Sequence, residues 1–359
     1  MNNRGLCLIV GICVSMPSTF ANFYHIQPPV EQGEVWGPKQ VGHVEEVARV
    51  FKETLIEATA DDSEMKRDAH PKAHGCVTGK LSINPKNLKS SHQVGLFKEI
   101  AEFKTITRFS NGDPDFRKSD HKGDVRGMAT KILGVPYQNI LQEASLEEQS
   151  VHDLVFMNSD EFFISNPAQY EKFMRATQGR FGVIPYLLTH WRSLRVIFGA
   201  REKIANPLDI NYRSATPYKI GSNSMKMKFE TCRKHEGQLD KMPKSTEDEN
   251  FLSKRLQKTL SKKEQCFNLM VQVNRDPKKN NIEDAIDSWS EKKSPFVKVG
   301  KLILDQQSNF LTTTNKASCE KMTFNPWRAP KANRPLGGLN RVRLEVYLRQ
   351  FDLRTEYNN

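Results

Sequence analysis

The chain contains no run of five or more lysines and arginines, no CxxC pair, no internal repeat and no low-complexity tract. Glycine and proline number only 20 and 18 in 359 residues, which excludes a collagen-like or linker composition. Past the N-terminus no apolar run is long enough to be a membrane helix. Each absence removes a class. Without basic tracts, the excess of 54 Lys+Arg over 42 Asp+Glu (net +12) reads as a solvated basic surface, and no nucleic-acid partner is expected. Without paired cysteines at short spacing, a structural zinc site is not expected. What is present is a globular composition, 37% hydrophobic and 27% charged, with enough chain for a sizeable core.

The N-terminus is specific. Arg4 precedes an apolar run, Leu6 to Met16, and then Thr19-Phe20-Ala21. Positive charge, short apolar core and a small-x-small end are the parts of a secretory signal, so residues 1–21 are expected to be cleaved after Ala21. The alternative is an uncleaved anchor, but the run is too short to span a bilayer comfortably. The mature protein is therefore expected to be exported, to a periplasm, without stable membrane insertion. Cys7 and Cys13 would leave with the signal, and Cys76, Cys232, Cys266 and Cys319 would remain. An oxidising compartment permits one or two disulfides among them, in any of three full pairings. Cys76 reads as a buried thiol, with one bridge between two of the others.

Residues 22–43 read as an extended arm, and residues 44–359 as a single domain. Val44, Val47, Val50, Phe51, Leu55 and Ile56 recur at helical spacing. Alternation from His74 to Ile83, and the segments Thr105–Ser110 and Val151–Ile164, predict strands. Helices are predicted over Ala168–Thr177 and Tyr186–Gly199, and residues 208–231 are read as short extended segments. Leu252, Leu256 and Leu260 mark one apolar stripe on a charged helix. Gln265–Val273, Val297–Asp305 and Ser318–Asn325 are expected to be strands or strand ends, and Gly338–Gln350 a last helix. The class is α+β around one antiparallel sheet or barrel.

Some residues stand out chemically. His70 lies before a strand, in RDAHPKAHG; it is a candidate general base, or an ordinary surface histidine. His74 is four residues on, but Pro71 disfavours a helix that would put both on one metal-binding face. Asn158 sits in an apolar run, as a core polar anchor or a ligand-orienting amide. Arg67 and Arg108 flank apolar segments, where guanidiniums either clamp carboxylates or make surface pairs. On a C-terminal helix Arg343 and Tyr347 share a face, a turn apart, and a guanidinium beside a phenol favours the phenolate, an iron ligand. Packing is the plainer reading for such a tyrosine.

Taken in order, these segments resemble the haem catalase superfamily. Arg67-Asp-Ala-His70, Arg108-Phe-Ser and Asp124-x-Arg126-Gly127-x-Ala129-x-Lys131 are similar to its first motifs. Asp153-Leu-Val-x-x-Asn158 with Phe162-Phe163-Ile164, Val299-Gly300-Lys301-Leu302 and Phe324-Asn325-Pro326 follow in the family's order, and Arg343-x-x-x-Tyr347 with Arg354 resembles its proximal signature. The likeness runs from Arg67 to Arg354. It implies an antiparallel eight-stranded β-barrel with surrounding helices, with haem b between the barrel and the helix carrying Tyr347. Tyr347 would ligate ferric iron as tyrosinate, held ionised by Arg343, and Arg67, Arg108 and Arg354 would pair with the propionates. His70 would be the acid–base group and Asn158 would orient peroxide, with Phe162 or Phe163 walling the pocket.

The chain ends twelve residues after Tyr347, so it is expected to lack the family's C-terminal extension. LRQFDLR follows Tyr347, where large members have a Pro-Asp-Thr segment. These departures resemble the small, exported, catalase-related peroxidase branch. Ala69 lacks the hydroxyl found there in fatty-acid-hydroperoxide enzymes. The implied function is decomposition of hydrogen peroxide by catalase or peroxidase turnover, with an electron donor the sequence does not identify and a possible homo-oligomer. The alternatives are conversion of small organic hydroperoxides, and haem carriage with little turnover.

Overall fold

The computed structural model describes residues 29–358 apart from 60–61, 63, 68, 142–145, 234, 245 and 247, so the expected signal, 1–21, lies outside the described residues together with the start of the arm. Nine strands form one sheet: β1 (Ala73–Ile83), β2 (Ala101–Asn111), β3 (Arg126–Leu133), β4 (Val151–Met157), β5 (Tyr212–Arg213), β6 (Tyr218–Ile220), β7 (Asn223–Thr231), β8 (Gln265–Val273) and β9 (Phe296–Leu304). The order is β5-β4-β3-β2-β1-β9-β8-β7-β6, and every pairing is antiparallel. β5 also pairs with β7, through Tyr212 opposite Phe229. That contact closes eight strands into a barrel and leaves β6 as a flap on β7, the architecture expected. Closure removes the free edges of the sheet.

Alternation fills the barrel. Val77, Leu81 and Ile83 of β1 point inward with Phe109, Met128, Leu154, Phe156, Phe267 and Leu269, each under 4% exposed. Their neighbours on each strand face outward, because successive side chains on a strand point to opposite faces. The functional candidates of β2 and β3 are on that outer face.

Among the described residues eight α-helices surround the barrel: α1 (Pro38–Thr59), α2 (Leu146–Gln149), α3 (Pro167–Thr177), α4 (Ile184–Thr189), α5 (Trp191–Ala200), α6 (Phe251–Leu260), α7 (Thr313–Lys321) and α8 (Gly338–Asn358). A second core joins α1, α3 and α8 through Val44, Val47, Val50, Tyr170, Met174, Val342 and Val346. None of the described helices is long and apolar enough to cross a membrane.

Several sequence expectations need correction. The helix begins at Pro38, within the expected arm, because proline suits a first helical turn where no N–H is needed. Residues 29–37 carry no helix or strand, and Glu34 pins them by bonding Arg334 at 2.7 Å, Arg341 at 3.2 Å and the Gly337 N–H at 2.9 Å. The helix expected over Tyr186–Gly199 is two, interrupted at His190, whose ring stacks on Tyr186 at 3.9 Å. Strand β4 stops at Met157, because Asn158 turns its amide onto backbone. Ser318–Asn325 does not form a strand; its first residues end α7, which Thr312 caps by accepting from the Asn315 N–H at 3.3 Å. The last helix runs eight residues beyond the expected Gln350, to Asn358.

Cys76 is not a free thiol. It is bridged to Cys319, and Cys232 to Cys266, with Cα–Cα distances of 5.5 Å in both. The first pair lies 243 residues apart in sequence and the second 34, so only the fold brings Cys319 against β1. Loop entropy makes the longer bridge worth about 2 kcal/mol more than the shorter one. Removing Cys76–Cys319 with paired serines is expected to lower the thermal midpoint more than removing Cys232–Cys266; equal losses would reject this ranking.

Candidate active site

The site begins on the outer face of the β2–β3 ladder, where Arg108 pairs with Ala129 and Ser110 with Gly127. His70 lies just before β1 with a left-handed backbone, φ +58°. Its ring rests against Gly127, where an added Cβ would stand 2.5 Å from Nδ1. Ser110 Oγ lies 3.2 Å from the same nitrogen, and the Arg108 guanidinium donates to the His70 carbonyl at 2.8 Å. Ring and backbone are thus both held, and Nε2 is the nitrogen left for chemistry. Burial, reinforced by the charges of Arg108 and Arg343, pushes the His70 pKa down to about 4. The imidazole is therefore neutral at ordinary pH and able to accept a proton.

His74 plays a different part. Fully buried, it bonds Asn111 at 2.8 Å, and Asn111 donates to Asp120 at 2.9 Å. Lys72 closes this network with an ion pair to Asp120 at 2.9 Å.

Asn158 is buried, and both ends of its amide are engaged. Oδ1 accepts from the Arg126 N–H at 2.8 Å, and Nδ2 donates to the Ala200 carbonyl at 2.9 Å. A carboxamide nitrogen carries two hydrogens, so one N–H remains after the bond to Ala200. The core-anchor and ligand-orienting readings are thus compatible.

Arg67 and Arg354 converge at the end of α7, and their charges act on Arg108, which bonds the His70 and Pro71 carbonyls. Arg67 Nη2 donates to the carbonyls of Glu320 at 2.7 Å and Met322 at 2.6 Å, and Arg354 Nη2 to that of Glu320 at 2.9 Å. The Glu320 carboxylate lies 3.5 Å from Arg67 and 3.7 Å from Arg354. Burial, with Arg67 next, pushes the Arg108 pKa down to about 9, while Glu320 opposes the fall. The buried Nε atoms of Arg108 and Arg354 have no hydrogen-bond partner. Two guanidiniums on one carboxylate, with the buried Arg108 within reach of its charge, make an arrangement whose chemistry suits carboxylates.

Helix α8 supplies the other side. Arg343 lies 5.6 Å from the centre of the Tyr347 ring and donates to Thr216 at 3.0 Å and Asn340 at 3.1 Å. Burial opposes the Arg343 charge, but the phenols of Tyr347 and Tyr218 more than offset it and raise its pKa. The hydroxyl of Tyr218 is buried beside Arg343, and burial raises its pKa against the pull of Arg343. Phe162 and Phe163, ring centres 4.8 Å apart, pack with Tyr347 on the helical core.

The fold thus gathers Arg67, Arg108 and Arg354 in one cluster, and Arg343 with Tyr347 in another. The charge of Arg343 on the His70 ring links the barrel wall to α8. Sequence reasoning assigned no role to Ser110 or Gly127, although both lie inside motifs that were recognised. It missed Glu320 and Tyr218, for which no local pattern exists. The donor set fits a macrocycle bearing carboxylates: the guanidiniums of Arg67, Arg108 and Arg354, and a phenol oxygen beside Arg343 on α8. Among the described residues no group of three or more His, Cys, Asp or Glu could hold a bare metal ion.

No family model and no curated protein matches the chain by sequence. Solved structures do match in fold. Catalase A from Saccharomyces cerevisiae superposes with a TM-score of 0.64 at 17% identity, covering 84% of this chain and 64% of that one. A fungal catalase gives 0.64 at 17% identity, covering 86% and 63%, and a bacterial catalase 0.64 at 18% identity, covering 86% and 62%. The chain therefore has the catalase-like barrel fold, and it spans less than two thirds of the length of these neighbours.

Because Gly127 sets the seat of His70, Gly127→Ala is expected to displace the ring. The His70 titration, followed by NMR, should have its midpoint at about 4 in the wild type and move toward 6.5 in the variant. An unmoved midpoint would show that Gly127 does not position the ring.

Proposed function

We propose that the chain is an exported haem b enzyme that decomposes hydrogen peroxide by catalase or peroxidase turnover. The observation that carries this reading is the neutral His70, braced by Ser110 and Gly127 and reached by the charge of Arg343, which itself lies beside Tyr347, together with the guanidiniums of Arg67 and Arg354 on Glu320. The catalase-like fold supports it. Two disulfides support the exported placement, since such bridges persist in oxidising compartments.

Arg67, Arg108 and Arg354 would hold the propionates, and Tyr347 would be the iron ligand, with Arg343 supplying positive charge beside its oxygen. When bound, haem supplies the ferric centre at which peroxide exchanges electrons. His70 takes a proton from one peroxide oxygen at Nε2 and returns it to the other, acting as base and then acid. A neutral imidazole is required for the first transfer, and the depressed pKa provides it across the physiological range. The remaining N–H of Asn158 orients the peroxide, and Phe162 and Phe163 keep the surroundings apolar.

The test is oxygen release per peroxide consumed by haem-loaded protein without an added donor. One oxygen for every two peroxides establishes catalase turnover; peroxide loss only with an organic donor establishes a peroxidase. Conversion of organic hydroperoxides without oxygen release would select the alternative substrate class, and no turnover would select haem carriage. His70→Ala is expected to keep haem while lowering peroxide turnover by at least about 100-fold. Tyr347→Phe should lose the tyrosinate-type haem spectrum. An unchanged spectrum would reject the proximal assignment. Turnover in the wild type should fall as pH drops through about 4, where His70 gains its proton, and not near 6.5. A pH–rate profile measured above and below that point checks the assignment.

A further inference from the structure

Glu320 is unusual in its setting. It sits at the end of α7, next to Cys319, whose bridge to Cys76 ties that end to β1. It is half-buried and faces Arg67 and Arg354, and its charge also reaches Arg108. The three guanidiniums press on one another: the charges of Arg67 and Arg354 both act on Arg108, and that of Arg67 acts on Arg354. Among the described residues one other acid, Glu64, also acts on Arg354, but it is about half exposed and bonds Lys66 at 2.6 Å.

We propose that Glu320 is a resident counter-ion that competes with the cofactor's carboxylates for Arg67 and Arg354, and so sets how strongly the site discriminates between free and masked carboxylates on the macrocycle. This rests on the haem reading above and concerns which form of the macrocycle the site accepts. Glu320 and the cofactor carboxylates share the same guanidiniums. Removing the Glu320 charge therefore strengthens the demand for cofactor carboxylates. The arginines stay in place when it is removed, because backbone carbonyls of Cys319, Glu320 and Met322 hold Arg67 and Arg354 in addition to the Glu320 side chain.

The experiment compares protohaem with its dimethyl ester, in which both carboxylates are masked, on the full chain. Binding is read by absorbance titration and stability by thermal unfolding, with no need for turnover. The wild type is expected to bind the diacid at least about tenfold tighter than the diester, the scale of charge-assisted hydrogen bonds. In Glu320→Gln the apo protein should melt lower, the diacid-to-diester ratio should rise by about tenfold more, and the gain in midpoint on adding protohaem should exceed that of the wild type. Glu320→Asp, which keeps the charge, should behave as the wild type.

A ratio unchanged between wild type and Glu320→Gln, or equal rescue by the diester, overturns this inference alone. Absence of any haem binding by the wild type overturns it together with the reading on which it rests. If Glu320→Gln does not fold without ligand, refolding is done with each haem present. Recovery with protohaem and not with the diester supports the proposal, and recovery with both or with neither overturns it.

Discussion

The β2–β3 ladder is the constraint on which the site depends. Its register sets Ser110 opposite Gly127 and Arg108 opposite Ala129, and puts all four on the outer face of the barrel. A slip of β2 by one residue would turn Arg108 and Ser110 inward, against Met128, and turn Phe109 out of the core. The register that keeps those side chains dry is therefore the one that seats His70. Barrel stability and the placement of the acid–base candidate have the same cause.

A second constraint is electrostatic. Arg108 is buried, and Arg67, Arg354 and Arg343 are at least half covered, which disfavours their charges unless partners are present. The protein answers with carbonyls at the end of α7, with Glu320, and with the phenols near Arg343. The helix end is well chosen, because its last carbonyls are unsatisfied within the helix and carry partial negative charge.

Much of the fold was legible in the sequence. Strand alternation located β1, β2, β8 and β9 to within a few residues, and the leucine spacing of α6 marked its buried stripe, where Leu252, Leu256 and Leu260 are fully buried. The failures have local physical reasons. Thr312 to Lys321 is too polar for helical periodicity to register, and only a capping bond to Thr312 starts it. A break at His190 depends on a stack with Tyr186 that a helical pattern does not reveal. β5, two residues long, is too short for any periodicity, yet it closes the barrel.

The candidate site divides in the same way. Arg67, His70, Arg108, Asn158, Arg343, Tyr347 and Arg354 were nameable because each lies in a local motif whose spacing survives in one dimension. The sequence by itself determined the residue types, the strand alternation and the order of those motifs, since these depend on neighbours a few positions apart. Tertiary structure alone decided that Cys76 meets Cys319, that Glu320 faces Arg67 and Arg354, and that Tyr218 shares Arg343 with Tyr347. Those contacts join residues far apart in sequence, and their energies exist only after barrel closure has brought the chain segments together and removed water from between them.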